Sequence, residues 1–212
     1  MATMDPLARM VDAQIRARGV RDPRVLDAMT RVPRERFVPD AVRHEAYRDH
    51  PVPIGLGQTI SQPYIVGYMT EALRLEPSHR VLEIGTGCGY QTAILAELAR
   101  EVYSIEVVPE LAARAQRTLE ALQYTNVYVR AGDGHAGWPE HAPYDRIIGA
   151  AAAGAVPPAL VDQLADSGIL VMPIGTDTQE LRVLQKHGSA MNLLATLSVR
   201  FVPMVKAPPE EL

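Results

Sequence analysis

Apolar residues in the first third of the chain recur at helical spacing. Leu7, Met10, Val11 and Ile15 share one face of a segment opened by Asp5 and Pro6 and closed by Gly19, which predicts a helix over 5–18. Asp22-Pro23 repeats the start signal, and Val25, Leu26 and Met29 supply a second, shorter apolar face. The stretch from Pro33 to Pro63 is rich in proline and glycine and has little periodicity. An irregular segment of that length in a compact domain is usually functional. A helical pattern returns over 62–75 through Ile65, Tyr68, Met69, Ala72 and Leu73.

From residue 80 the rhythm changes. Buried strands are predicted at 80–84, 102–105, 127–129, 144–148 and 169–172, interleaved with helices at 90–98, 109–122 and 157–164. Such alternation predicts an α/β fold with a parallel sheet covered on both faces. After Pro173 the helices cease. Residues 181–185 and 193–201 read as strands with no helix between them, so the sheet should finish in an antiparallel pair. No repeat, low-complexity tract or linker divides the chain, and the expectation is one domain over 1–212.

Composition narrows the class. A chain of 212 residues that is 47% hydrophobic can bury a proper core. Its net charge of −4, with no dense Lys/Arg run, gives no general attraction to nucleic acid. One cysteine, Cys88, excludes an intrachain disulfide and a multi-cysteine zinc site and fits a reducing compartment. The most apolar stretch, 147–160, is interrupted by Gly149, Gly154, Pro157 and Pro158, so no membrane span is expected. The opening Met1-Ala2-Thr3-Met4-Asp5-Pro6 leads into charged residues rather than the apolar core of a signal peptide, and a cytoplasmic location is expected. The six histidines are scattered, and His44/His50 and His135/His141 miss one-face helical spacing, so no metal is expected.

The chemistry concentrates in Val81-Leu82-Glu83-Ile84-Gly85-Thr86-Gly87-Cys88-Gly89. A hydrophobic strand runs into three alternating glycines, and a helix starts directly after. A turn without Cβ atoms lets backbone approach a ligand and aims free helix N–H groups at it. Glu106 ends the next strand about twenty positions after Gly85, where an acid can accept both hydroxyls of a ribose; alone it reads equally well as a solvated strand end. Asp133, within Gly132-Asp133-Gly134, could accept from an adenine amino group or simply mark a turn. Together these features indicate an adenosine ligand, either a dinucleotide or S-adenosylmethionine. A pyrophosphate prefers a longer glycine loop. The acid at Glu83 points to a ligand with a positive group near the loop, which favours S-adenosylmethionine. Cys88 is read as packing against that cofactor, and Trp138 as a core anchor.

From Arg31 onward the chain resembles the protein-L-isoaspartate (D-aspartate) O-methyltransferase family. The resemblance rests on Arg36-Phe37-Val38-Pro39, Ala46-Tyr47, Gly57-Gln58-Thr59-Ile60-Ser61-Gln62-Pro63-Tyr64, Val81 to Gln91, Tyr103-Ser104-Ile105-Glu106, Gly132-Asp133-Gly134, Gly137-Trp138, Ala142-Pro143-Tyr144-Asp145 and Arg200-Phe201-Val202-Pro203. The glycine loop is shared by many methyltransferases, whereas Gln58 to Tyr64 is specific to this family. Departures are modest: Cys88 stands where serine is common, Gly149 interrupts the apolar strand end, and Met204 replaces a usual leucine. The resemblance implies a Rossmann-like class I methyltransferase fold, with 1–79 as a helical, substrate-side extension and 80–212 as the cofactor-binding core. It implies that Ser61 stands beside the methyl group and the acceptor carboxylate, with Gln58, Thr59 and Ile60 lining the same place. Read alone, Ser61 would be a helix cap. Gly85, Gly87, Gly89, Glu83, Glu106, Gly132, Asp133 and Gly134 complete the expected cofactor set.

The implied substrate is the free carboxylate of isoaspartyl and D-aspartyl residues in flexible protein segments, methylated to start repair through succinimide. A carboxylate is ionised at neutral pH and needs no general base. That agrees with a sequence showing no acid/base pair beside its cofactor motifs. Alternatives are a methyltransferase for another acceptor and a nicotinamide dehydrogenase. The latter would need a Tyr-x-x-x-Lys pair, and neither Lys186 nor Lys206 follows a tyrosine at that spacing. A nucleic-acid acceptor is disfavoured by charge and by the lack of Asn-Pro-Pro-Tyr and of a Pro-Cys pair.

Overall fold

The structure, a computed structural model, describes residues 5–206. The reading of Met1–Met4 as lacking a signal core falls on residues outside that range. Asp5 caps the first helix as its side chain accepts from the Leu7 N–H, and α1 (Pro6–Met10) continues through a wider π-type turn at Val11–Ile15. A tight turn at Arg16–Arg18 then ends on Gly19 with φ +103°. The expected apolar face survives this irregularity, since Leu7, Met10, Val11 and Ile15 are all buried. Asp22 caps α2 (Pro23–Arg31) in the same way.

The segment over 33–63 holds an element that the periodicity did not predict. β1 (Val52–Gly55) and β2 (Gln58–Ile60) form an antiparallel hairpin. Its two-residue loop has φ +54° at Leu56 and +72° at Gly57, and positive values at both positions match the twist of the flanking strands. The strands are too short to show alternation convincingly: only Val52, Ile54 and Ile60 turn inward. α3 (Pro63–Ala72) follows.

β3 (Arg80–Ile84), β4 (Glu101–Glu106), β5 (Val127–Ala131), β6 (Tyr144–Gly149), β7 (Leu164–Ile174), β8 (Gln179–His187) and β9 (Ala190–Val199) make one sheet in the order β5-β4-β3-β6-β7-β8-β9. The first five run parallel, and β8 pairs antiparallel with β7 and with β9. α4 (Tyr90–Ala96), α5 (Pro109–Ala121) and α6 (Pro158–Gln163) supply crossovers. Strands β7 and β8 extend at both ends beyond the apolar runs that mark them, through polar residues such as Asp166 and Gln179, while β9 starts three residues before the expected 193–201 and stops two residues short of its end. Chain order reverses at β3, which β4 and β6 flank. Ligands of such sheets bind at the carboxyl ends of the strands beside that reversal.

The N-terminal helices do not stand apart. Ile15, Val20, Val25 and Met29 share a core cluster with Ile54 of the hairpin and with Ala93, Leu111 and Leu119 of α4 and α5. That continuity holds the hairpin over the ends of β3 and β4. Gly89 shows how tight the packing is: it enters α4 with φ +91°, and a Cβ there would stand 3.2 Å from Leu119 Cδ1 and 3.4 Å from Ala115 Cβ. Gly89→Ala should therefore cost about 1–2 kcal/mol from the left-handed backbone alone. For a domain of this size that lowers Tm by roughly 2–8 °C, measurable by calorimetry. An unchanged Tm would show that α4 can start in another conformation.

Candidate active site

The turn after β3 is built from the backbone outward. The N–H groups of Gly85 and Thr86 both donate to the Ile105 carbonyl, at 2.8 and 3.3 Å, so the turn folds over the end of β4. Gly85 has φ +94°, and a Cβ there would lie 3.4 Å from Ala150 Cβ, which closes the turn against the end of β6. Ala150 in turn donates to the Ile84 carbonyl at 2.8 Å. Gly87, φ +57°, donates its N–H to Glu106 Oε2 at 2.8 Å, and Val108 N–H donates to Oε1 at 3.0 Å. A carboxylate offers about four acceptor positions, so two remain for ligand hydroxyls. Gly85, Gly87 and Glu106 all line one cleft.

Glu83 is placed differently from the expectation that its acid faces the ligand. It is wholly buried under the turn and does not line the cleft. Its Oε2 accepts from Thr92 Oγ1 at 2.5 Å and from Ser104 Oγ at 2.6 Å, while the Ser104 hydroxyl also shares a 2.6 Å bond with Thr86 Oγ1. The carboxyl thus joins β3, β4, α4 and the glycine turn from below. Strand alternation explains the correction. Glu83 sits opposite Ser104 in the parallel ladder, and both side chains point toward α4 rather than past the strand ends. Gly89 is likewise a packing residue against α5 and lines no part of the cleft.

On the far side of Glu106, Gly132 N–H donates to the Glu106 carbonyl at 2.9 Å. Asp133 spends Oδ1 on the His135 N–H at 2.9 Å and on His135 Nδ1 at 2.7 Å. Burial opposes the Asp133 charge, yet these bonds hold its pKa below the ordinary value. Of this trio only Gly134 lines the cleft, and a Cβ there would stand 2.4 Å from Ile84 Cγ2.

Gln58, Thr59, Ile60 and Ser61 line the same cleft from the other side. The hairpin that carries the first three is tied to α5, because Arg114 donates to the Ile54 carbonyl. Ser61 follows β2 directly and is half-buried. It is not the helix cap that its neighbourhood suggests: Gln62 occupies the cap position of α3, and no side chain bonds the first turn. A second, wider cleft opens beyond Ser61, lined by Arg18, Tyr64, Ile65, Leu197 and Phe201 among others. Thr59, Ser61, Ala150 and Val202 line both clefts, so Ser61 stands at their junction. Val202 to Met204 is stitched to the segment after β6: Ala152 N–H donates to the Val202 carbonyl at 2.8 Å, and Met204 N–H to the Ala152 carbonyl at 2.7 Å.

Several lining residues escaped sequence reasoning. Tyr90 and Gln91 open α4 and face the first cleft, and Gln91 Nε2 donates to Thr70 Oγ1 at 2.9 Å. Both lie inside the motif stretch, but neither residue type carries a cofactor signal. Cys88 does line the cleft, with burial pushing its thiol up to about 11. Among the described residues no three of His, Cys, Asp and Glu gather to hold a metal ion, and no helix is long and apolar enough to cross a membrane.

A doubly wound sheet with a glycine turn at its reversal point, and an acid that can hold ribose at the end of the next strand, defines the Rossmann-like class of adenosine-cofactor proteins, and the family match makes this one an S-adenosylmethionine-dependent methyltransferase. The glycine cradle and the spare acceptor positions of Glu106 fit an adenosyl ligand. The model of the Protein-L-isoaspartate(D-aspartate) O-methyltransferase (PCMT) family matches residues 7–208, and the chain belongs to that family. It is 58% identical over 196 residues to a Protein-L-isoaspartate O-methyltransferase of Picosynechococcus sp., covering 92% of this chain and 88% of the relative. It is 54% identical over 204 residues to the protein of that name in Gloeobacter violaceus, covering 95% of this chain and all of the relative. A Plasmodium falciparum structure described as a protein-L-isoaspartate O-methyltransferase in complex with S-adenosyl-L-homocysteine superposes with a TM-score of 0.82 at 26% identity, over 95% of this chain and 99% of that one. A further structure of the same name gives 0.84 at 28% identity, over 92% of this chain; this chain spans 65% of its length.

The buried Glu83 has a consequence for stability. Burial, against the pull of the Ser104 and Thr92 hydroxyls, raises its pKa from 4.5 to about 7. Between those values the folded chain holds a proton that the unfolded chain has released. The contribution is therefore fully present below pH 4.5 and is lost as pH rises through 7. Glu83→Gln should gain on the wild type by about 3 kcal/mol between pH 4.5 and 8 in urea unfolding. Parallel stability profiles would mean that the carboxyl stays ionised in the folded chain.

Proposed function

We infer that this protein transfers a methyl group from S-adenosylmethionine to the free carboxylate of L-isoaspartyl and D-aspartyl residues in damaged proteins and peptides. The observation that carries the reading is the meeting of two clefts at Ser61, one floored by the glycine turn and one open to solvent. When bound, S-adenosylmethionine supplies a methyl group activated by the positive charge on its sulfur. Glu106 accepts from the ribose hydroxyls, and the Gly85–Gly87 backbone permits close approach of the methionyl part. Gly132, Asp133 and Gly134 stand on the adenine side, and Gln58, Thr59 and Ile60 close the site from above. Glu83 and Gly89 support the turn without touching the ligand.

The acceptor carboxylate enters from the second cleft already ionised, so the chain needs only to align it, exclude water and hold it near the donor. The Ser61 hydroxyl, which caps no helix, is free to donate to one carboxylate oxygen. Neither the Cys88 thiol nor the Tyr90 hydroxyl is a base near neutrality, because burial pushes them up to about 11 and about 12. The methyl ester has a better leaving group than the carboxylate; it closes to succinimide off the enzyme and can reopen to normal aspartate. A substrate reaching Ser61 past Tyr64 and Phe201 has to be an extended, flexible chain. The net charge argues against nucleic acid, and the chain is assigned to the cytoplasm, without a membrane partner. Its whole length forms one methyltransferase domain, with 1–79 on the substrate side and 80–212 around the cofactor.

Two variants separate the roles. Glu106→Ala loses hydrogen bonds to a charged group, worth about 1.5–3 kcal/mol, so the Kd for S-adenosylhomocysteine should rise roughly 10- to 100-fold by calorimetry. Wild-type affinity would remove Glu106 from the site. Ser61→Ala should leave that affinity unchanged and lower single-turnover methylation of an isoaspartyl peptide by roughly 10- to 100-fold, with the matching aspartyl peptide as the unmethylated control. Full activity in this variant would defeat the role given to the hydroxyl. Labelling of the aspartyl peptide by the wild type would defeat the substrate assignment.

A further inference from the structure

Arg34 opens the short turn Arg34–Phe37 and is completely buried. Its Nε donates to the Ala46 carbonyl at 2.7 Å and its Nη2 to the Ser61 carbonyl, also at 2.7 Å. The guanidinium lies over the Tyr90 ring, 4.8 Å from its centroid, and Phe37 meets the other side of the cluster edge-on to that ring. Among the described residues Nη1 has no hydrogen-bond partner, and no carboxylate forms an ion pair with Arg34. A guanidinium withdrawn from water without a counter-charge costs several kcal/mol, so the fold carries it at the expense of stability. Its reach explains what is gained. One planar group spans two carbonyls from segments fifteen residues apart in sequence, and leans on the first residue of α4, which follows the glycine turn. Arg34 lines neither cleft, so it does not meet the ligands itself.

We propose that Arg34 is a positioning residue of the acceptor site, holding the Ser61 peptide unit from behind so that the Ser61 hydroxyl faces the junction of the two clefts. Ser61 needs such a tether. It lies between a three-residue strand and the cap of α3, where Gln62 Nε2 donates to the Asp49 carbonyl at 3.1 Å and to Asp49 Oδ1 at 2.8 Å; the side chain that reaches the Ser61 carbonyl itself is Arg34. The Ala46 end is itself anchored, since Gln14 Nε2 donates to the Tyr47 carbonyl at 2.7 Å and the Tyr47 hydroxyl donates to Glu35. The tether therefore runs from the N-terminal helices through Arg34 to Ser61. Lysine at position 34 would keep the charge but gather its donors on one freely rotating atom, in place of the planar fork whose Nε and Nη2 each hold a carbonyl, so the Ser61 peptide unit would be held less rigidly.

The inference rests on the role assigned to Ser61, and a double-mutant cycle tests both. Single-turnover methylation of an isoaspartyl peptide is measured at saturating cofactor and peptide for wild type, Arg34→Lys, Ser61→Ala and the double variant. The temperature is kept well below every Tm. Arg34→Lys should slow methyl transfer about tenfold while the Kd for S-adenosylhomocysteine stays within twofold. In the Ser61→Ala background the same substitution should change the rate less than twofold, because no hydroxyl is left to place. A purely structural role would lower Tm and leave this rate and its dependence on Ser61 unmoved. Equal slowing in both backgrounds, or none in either, overturns the inference while leaving the methyltransferase reading intact. A wild-type protein that transfers no methyl to the peptide defeats that reading instead. Arg34→Gln, which keeps an amide donor and removes the buried charge, repeats the test if the lysine variant does not fold. Failure of both to fold assigns Arg34 to folding and overturns the inference.

Discussion

The site depends on how β3 ends. A parallel strand whose neighbours are β4 on one side and β6 on the other must release its chain upward through a very small space, because Ala150 and the Ile105 carbonyl already occupy both flanks. Only backbone with positive φ fits there, and three alternating glycines provide it. Once the chain turns in this way, its N–H groups lie beside the Glu106 carboxylate, and Gly87 is bonded to it directly. The residue that organises the ligand side of the turn is thus also the one that holds the turn in place. Beneath it, Glu83, Ser104, Thr92 and Thr86 make a buried polar chain that fixes the same loop from the opposite side. Such a network is costly unless satisfied, and Oε1 of Glu83, which has no partner among the described residues, marks where that cost remains.

How much of this was legible follows from which signals are local. The parallel core was readable because buried strands are continuous apolar runs and the helices between them keep a helical period; Val81 to Ile84 and Leu111 to Leu119 are plain examples. The hairpin over 52–60 was not, since a pair of strands of four and three residues carries too little alternation and its turn uses leucine at a positive φ. Glycine spacing located the cofactor cleft, yet it could not separate a glycine needed for ligand approach, such as Gly85, from one needed for helix packing, such as Gly89. Both have the same sequence signature, and only the structure distinguishes them, since Gly85 lines the cleft while Gly89 lies against Leu119 and Ala115. Glu83 was misplaced for a related reason. An acid two positions before the turn looks adjacent to it, but strand alternation sends its side chain down into the protein. Ser61 was found through a family motif and through nothing local, because its importance comes from a junction formed by segments far apart in sequence.

The chemistry of the reaction gives the remaining features a common logic. Transfer from a sulfonium to a carboxylate merges opposite charges, so the transition state is less polar than the separated reactants. A site that hydrates both partners slows the step, and one that withdraws water favours it. Ile60, Val66, Met69, Ile84 and Val202 give the first cleft largely apolar walls, which suits that requirement. A cation placed directly on the acceptor carboxylate would help binding and then oppose reaction, because it stabilises the charge that must disappear. Of the residues that line both clefts none is a cation, and Arg18 lines only the outer one. A neutral hydroxyl stands at the junction, while the nearest buried cation, Arg34, is turned away to the carbonyl side of the same residue. The protein can thereby use the rigidity of a planar guanidinium without presenting its charge to the reacting oxygen. The cations that brace this region, Arg34 behind Ser61 and Arg114 behind the hairpin, bond to carbonyls of the protein itself and line neither cleft.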